Sequence, residues 1–112
     1  MDLVNFPRQD DVWLVALDPT ESSEIQKARP CLVVSPDEVN EFLRTVIIAP
    51  MTTTERLYPT RAGITFRRRR GQVALDRVRA VDRQRLVRKL GAAPAQAAQG
   101  TSSVLIEMFT RR

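Results

Sequence analysis

A chain of 112 residues with 43% hydrophobic side chains is large enough for one core and too small for two, so a single domain over residues 1–112 is expected. The one cysteine, Cys31, rules out an intramolecular disulfide framework and a thiolate zinc site, and the absence of histidine rules out catalysis by paired imidazoles. Residues 1–7 lack the basic and long apolar regions of a signal peptide and no apolar run reaches membrane-spanning length, which points to a cytoplasmic protein.

The net charge of +5 hides a polarity. Residues 1–43 carry three Lys/Arg against nine Asp/Glu, whereas residues 44–112 carry fifteen against four, so a net −6 is followed by +11. Sixteen of the eighteen cations are arginine, the side chain best shaped for bidentate phosphate contacts. A basic face for a polyanion and a solvated Arg-rich surface explain this charge equally well.

In chain order, residues 12–17 form an apolar run that predicts a buried first strand, ended by Asp18-Pro19-Thr20. The polar segment 21–28 predicts a surface loop, and residues 31–35 predict the second strand. Ser35-Pro36-Asp37-Glu38 has a serine at the N-cap, proline at the first helical position and glutamate at N3, a capping-box pattern for a short helix through Phe42. Strand is expected again over 45–49, closed by Pro50, and then over 61–66 after a polar stretch.

Arg67-Arg68-Arg69-Arg70-Gly71 predicts a hairpin tip leading into a strand over 72–75. Asp82 is placed to cap a helix with Leu86, Val87 and Leu90 on one face and Gly91 as its C′ stop. After an Ala-rich link over 92–98, Val104, Leu105, Met108 and Phe109 predict a second amphipathic helical face, able to pack on the sheet or on a partner. Five or six short strands separated by turns, without repeats, indicate a mainly β, closed barrel-like architecture decorated by helices.

The carboxylates are scattered, with no spacing that suggests a two-metal site, and there is no Gly-rich phosphate loop, serine elbow or Cys/His pair. No cofactor is expected. The chemistry left is phosphate handling by arginine, hydroxyls and backbone N–H groups.

The order of segments then becomes specific. Val12-Trp13-Leu14-Val15-Ala16-Leu17-Asp18-Pro19 is followed by Ser23-Glu24 and by Arg29-Pro30-Cys31-Leu32-Val33-Val34-Ser35-Pro36 with Asn40. Next come Val46-Ile47-Ile48-Ala49-Pro50-Met51-Thr52-Thr53, Tyr58-Pro59, and Gly71-Gln72-Val73-Ala74-Leu75-Asp76 with Arg79 and Asp82. Across residues 11–90 this order resembles the MazF/PemK family of toxins.

The resemblance implies an SH3-like small β-barrel with a C-terminal helix, a homodimer, cleavage of single-stranded RNA at short motifs without a metal, and a cognate acidic antitoxin with a disordered tail. It marks Arg29 and Thr52 as the catalytic pair facing the RNA groove; because a guanidinium is a poor base, Glu24 in the neighbouring loop is the alternative base. Asp76 matches a family position near the RNA bases, Arg77 and Arg79 extend the basic strand end beside it, Tyr58 lies in a loop from which it could stack a base, and Ser23 and Thr53 are further candidate RNA contacts. Ser23 stands where some relatives carry histidine, and Ser22 where glycine is common.

Each residue also has a plainer role open to it: a strand-start ion pair for Arg29, a turn hydroxyl for Thr52, a solvated carboxylate for Glu24, and an Asp–Arg pair for Asp76. Trp13 reads as core; the 67–70 run, the densest charge in the chain, would strengthen any RNA backbone contact in a salt-dependent way, although most of it reads as a solvated hairpin tip. A noncatalytic barrel that binds nucleic acid or protein, such as a gyrase-poisoning relative or a silenced family member, is the competing function.

Overall fold

The run around Cys31 becomes the middle of a curled antiparallel sheet. In a computed structural model, which describes residues 6–17 and 28–112, β1 (Asp11–Ala16) pairs with β2 (Ala28–Val33), and β2 pairs in turn with β3 (Thr45–Thr52). Cys31 and Val33 enter one apolar cluster with Val15, Val46, Ile48 and Val81, while Leu32 enters another with Val12, Ala49, Val73 and Leu75. Both faces of β2 are therefore covered, which is why the segment reads as unbroken apolar sequence rather than as alternation.

Helix α1 (Asp37–Phe42) connects β2 to β3. After β3 come the hairpin of β4 (Arg61–Phe66) and β5 (Arg69–Ala74), then β6 (Arg79–Asp82), β7 (Leu86–Ala92) and helix α2 (Ala95–Phe109). The strand path is β4-β5-β3-β2-β1-β7, and β6 pairs with the first half of β3. The described residues thus form seven strands, where the sequence leads to an expectation of five or six.

The two ends of the sheet, β4 and β7, meet through side chains. The Phe66 ring lies over Gly91, where a Cβ would sit 3.1 Å from Phe66 Cζ, and the Arg67 guanidinium donates to the Leu90 carbonyl. With a φ of 154° and an aromatic ring against it, position 91 calls for glycine on both counts. Helix α2 covers the open side of the first cluster, burying Ala97 and Thr101 and packing Val104, Leu105 and Met108 onto it. Phe109, expected on the same face, is 70% exposed at the end of the helix.

Several local expectations give way to tertiary demands. The helix expected after Asp82 is a single 3-10 turn, Arg83–Arg85, which Asp82 does cap by accepting from the Gln84 N–H at 2.8 Å. The chain then runs as β7, because β1 presents a free strand edge and the ladder from Val15↔Leu86 to Asp11↔Ala92 satisfies the backbone there. Spacing of Leu86, Val87 and Leu90 suits a helix equally well, and it is the edge that decides.

Ser35 does not cap α1, whose N-cap is Pro36 without a side-chain bond. Its buried hydroxyl instead donates to Asn40 Oδ1 at 2.5 Å and accepts from the Ile47 N–H at 3.0 Å, joining α1 to β3. Pro50 does not end β3. It lies opposite Cys31, between the β6 pairing of residues 45–48 and the β5 pairing of Met51 and Thr52, a gap in the ladder where a missing N–H is tolerated.

The hairpin tip is likewise shorter than expected. Only Arg67 and Arg68 turn, both at positive φ (52° and 66°), the signature of a two-residue type I′ loop, and Arg69 already belongs to β5. No helix among the described residues is long and apolar enough to cross a membrane.

Candidate active site

The ladder between β2 and β3 ends at Cys31↔Pro50. Two residues further along each strand stand Arg29 and Thr52, opposite one another in the continued register, and the strands part there into an open cleft of about 740 Å³. Arg29 and Pro30 line one side and Thr52, Thr53 and Thr54 another. Met51, Ile64, Phe66 and Leu90, all packed on the first cluster, give it an apolar floor, and Arg67, Arg69 and Arg70 add to its cationic rim. No carboxylate lines it among the described residues.

Thr52 is held at the end of β3 by its ladder partner Gln72. Its Oγ1 accepts from the Thr54 N–H at 3.1 Å, which uses acceptor capacity and leaves the hydroxyl proton free to donate outward. Close approach of β5 depends on Gly71, because any Cβ at that position would fall well inside contact distance of the Thr52 carbonyl oxygen. Gly71 is thus a packing glycine, not the turn glycine that its place after four arginines suggests.

Arg29 lies opposite Val15 of β1 in the ladder. The Cys31 thiol next to it donates to the Arg29 carbonyl at 3.6 Å, and burial pushes its pKa up to about 12 against the lowering influence of Arg29 and Arg79. At neutral pH it is a protonated, buried thiol with no nucleophilic role.

A second polar group surrounds Asp76, in the 3-10 turn Leu75–Arg77. Its carboxylate accepts from Arg61 Nε at 2.9 Å and from the Thr60 hydroxyl at 3.1 Å, and the Arg61 guanidinium stacks 5.1 Å from the Tyr58 ring centroid. Burial tends to raise the Asp76 pKa, but the Arg61 hydrogen bond, a backbone bond, the Thr60 hydroxyl and the Arg61 charge together bring it below its ordinary value.

Residues 8–109 match the family model described as PemK-like, MazF-like toxin of type II toxin-antitoxin system. The chain belongs to this toxin family. It is 33% identical over 89 residues to Endoribonuclease EndoA of Bacillus subtilis, which covers 74% of this chain and 77% of that protein. It is 42% identical over 43 residues to Endoribonuclease PemK of Escherichia coli, a match spanning 38% of this chain and 32% of PemK's length.

In three dimensions it is similar to an endoribonuclease from a mycobacterial species in complex with its cognate antitoxin, with a TM-score of 0.78 at 21% identity, covering 95% of this chain and 99% of that one. It is similar also to MazF from Deinococcus radiodurans, with a TM-score of 0.75 at 25% identity, covering 92% and 96%. The mainly β, curled sheet with a C-terminal helix is the fold of these PemK/MazF toxins.

Of the residues that the PemK/MazF resemblance singles out, Arg29, Thr52 and Thr53 come together in the cleft. Tyr58, Asp76, Arg77 and Arg79 are not among its lining, and Tyr58 and Asp76 are tied to one another through Arg61. Ser22, Ser23 and Glu24 lie outside the described residues. Of the β4–β5 hairpin run, which the sequence offers as an RNA backbone contact or a solvated tip, Arg67, Arg69 and Arg70 line the cleft and Arg68 does not. Their sequence signal is a bare charge run, and only the docking of the hairpin on β7 turns it toward the cleft.

Proposed function

We propose that this protein is the toxin of a type II toxin–antitoxin pair and a metal-independent endoribonuclease that cleaves single-stranded RNA. The observation that carries this reading is the placement of Arg29 and Thr52 on opposite sides of one cationic cleft whose described lining has no carboxylate. Such a cleft attracts a phosphate chain, its apolar floor accommodates unpaired bases, and its donors suit the extra negative charge of a phosphorane.

In the proposed reaction the deprotonated RNA 2′-oxygen attacks its own phosphorus in line, the P–O5′ bond breaks, the departing 5′-oxygen takes a proton from water, and the products are a 2′,3′-cyclic phosphate and a 5′-OH. Arg29 donates hydrogen bonds to the nonbridging oxygens, and the free proton of the Thr52 hydroxyl adds another. Removing one preorganised donor of this kind lowers the rate roughly 100- to 1,000-fold. Glu24 is the proposed acceptor of the 2′-OH proton, because a guanidinium, always protonated, is a poor base.

RNA contacts by Ser23, Thr53, Tyr58, Asp76, Arg77 and Arg79 belong to the same proposal, with the bases read outside the scissile step. The homodimer and the cytoplasmic site of action are part of it too. The antitoxin is proposed to place an acidic, disordered tail in the cationic cleft and so to exclude RNA. A structurally similar endoribonuclease solved in complex with its cognate antitoxin supports this partner.

The test is incubation of the folded protein with a long mRNA in EDTA, with the 5′ ends mapped. Discrete cuts ending in 5′-OH are expected, lost in Arg29→Ala and Thr52→Ala. RNA binding without cuts would replace this reading by a noncatalytic one.

A further inference from the structure

The four arginines 67–70 are identical as sequence, yet the hairpin gives each a separate environment. Arg67 is committed to the Leu90 carbonyl and lies 5.5 Å from the centroid of the Phe66 ring. Arg68 takes the second turn position and does not line the cleft. Arg70 pairs with Glu55 at 3.4 Å. Arg69 lies opposite Phe66 in the ladder, lines the cleft, and has no carboxylate within salt-bridge distance among the described residues.

The wall that carries Arg69 is also anchored. Phe66 seated on Gly91 and Arg67 bound to Leu90 tie the hairpin to β7, so the backbone at position 69 is that of a docked strand. A guanidinium presented from a fixed strand beside an apolar floor loses less freedom on binding than one on a mobile tip, and binds an anion with less competition from water.

We infer that Arg69 is a second phosphate-binding residue of the cleft, holding an RNA phosphate other than the scissile one. This rests on the RNA-cleavage reading. Arg29 and Thr52 then serve the reacting phosphate, while Arg69 sets the path of the strand across the Phe66 floor, so that one strand must satisfy both ends of the cleft.

The experiment uses an oligonucleotide spanning a mapped cut site, with 2′-deoxyribose at the cleaved position, and measures its Kd as a function of salt for the full protein. Arg69→Ala is expected to weaken binding and to flatten the log Kd against log salt slope by about 0.7, the contribution of one phosphate contact on a single strand. Arg69→Lys is expected to restore the slope, and Arg68→Ala, which removes the same charge one residue away, to leave it near the wild-type value. On cleavable RNA, Arg69→Ala is expected to raise KM.

Equal slopes for Arg68→Ala and Arg69→Ala, with the wild type cutting RNA, would overturn the inference and leave the cleavage reading intact. A folded wild-type protein that cuts no RNA overturns the cleavage reading and this inference with it.

Discussion

Gln72 and Arg56 exchange two hydrogen bonds: the Arg56 N–H donates to Gln72 Oε1 and Gln72 Nε2 donates to the Arg56 carbonyl, each at 3.0 Å. Since Gln72 is also the ladder partner of Thr52, the segment leaving Thr52 is clasped to the strand that holds Thr52 in place. The clasp closes a short chain loop beside the cleft and limits where the Thr52 hydroxyl can go.

Gln72→Ala removes both bonds at an exposed site, so stability is expected to fall by only about 1 kcal/mol. Cleavage is expected to fall about tenfold or more if Thr52 is the donor proposed above, because a small misplacement of such a group costs rate steeply. Gln72→Glu keeps the acceptor and loses the donor, and should lie between. Thermal melts beside kcat/KM separate the two effects; unchanged kcat/KM in Gln72→Ala would show that Thr52 does not depend on the clasp.

Gly71→Ala forces β5 away from the Thr52 carbonyl oxygen. A clash of this kind against backbone is expected to cost about 1–3 kcal/mol and to displace Thr52, lowering activity along with stability. Gly63→Ala, also in the hairpin but with nothing within 4 Å of the added methyl, is the matched control and should be tolerated. Denaturant unfolding and RNA cleavage of the two variants are to be compared.

The Asp76 pKa is lowered in the folded protein, because the bonds and charge from Arg61 and Thr60 outweigh the opposing effect of burial. Its contribution to stability is therefore present above its unfolded value of 3.8 and is lost as pH falls through the lower folded value. Asp76→Asn should be less stable than wild type by about 1 kcal/mol at pH 7, solvent screening keeping the difference modest. Melts repeated at falling pH should show the two proteins converge below pH 3.8.

Cys31 behaves in the opposite direction. Burial raises its pKa from 9.0 to about 12, so the folded state holds a proton that the unfolded chain releases, and stability falls as pH rises from 9.0 toward 12. In native protein at pH 8 iodoacetamide should label it very slowly, and in denaturant fully. Rapid labelling under native conditions would mean that the cleft end of β2 opens readily.

Thr101 of α2 is only 3% exposed, and its Oγ1 has no hydrogen-bond partner among the described residues. Thr101→Val keeps the shape and removes the unsatisfied hydroxyl, so it should stabilise the protein by about 1 kcal/mol. A rise in Tm with unchanged cleavage is the expected result, α2 lying on the core and outside the cleft lining.

Much of the fold is written locally. Residues 31–34 are apolar without a break because both faces of β2 are buried, 61–66 read as strand and are β4, and the Pro36-to-Phe42 segment makes the expected short helix although Ser35 does not cap it. Arg29 and Thr52 stand out through the order of short strings around them, Arg-Pro-Cys before one strand and Pro-Met-Thr at the end of another, which is enough to mark both positions before any geometry is known.

Other choices have no local signature. Leu86, Val87 and Leu90 fit a helical face and a strand alike, and the free edge of β1 selects the strand. Gly71 looks like a turn residue until β5 is laid against Thr52, and the four arginines differ only once Phe66 meets Gly91 and brings the hairpin over the cleft. Periodicity, capping and turn chemistry act over a few residues and can be read along the chain. Strand partners, glycines required by close approach, and the direction of a charge depend on contacts between residues far apart in sequence, and these come into being only when the sheet curls and its ends meet.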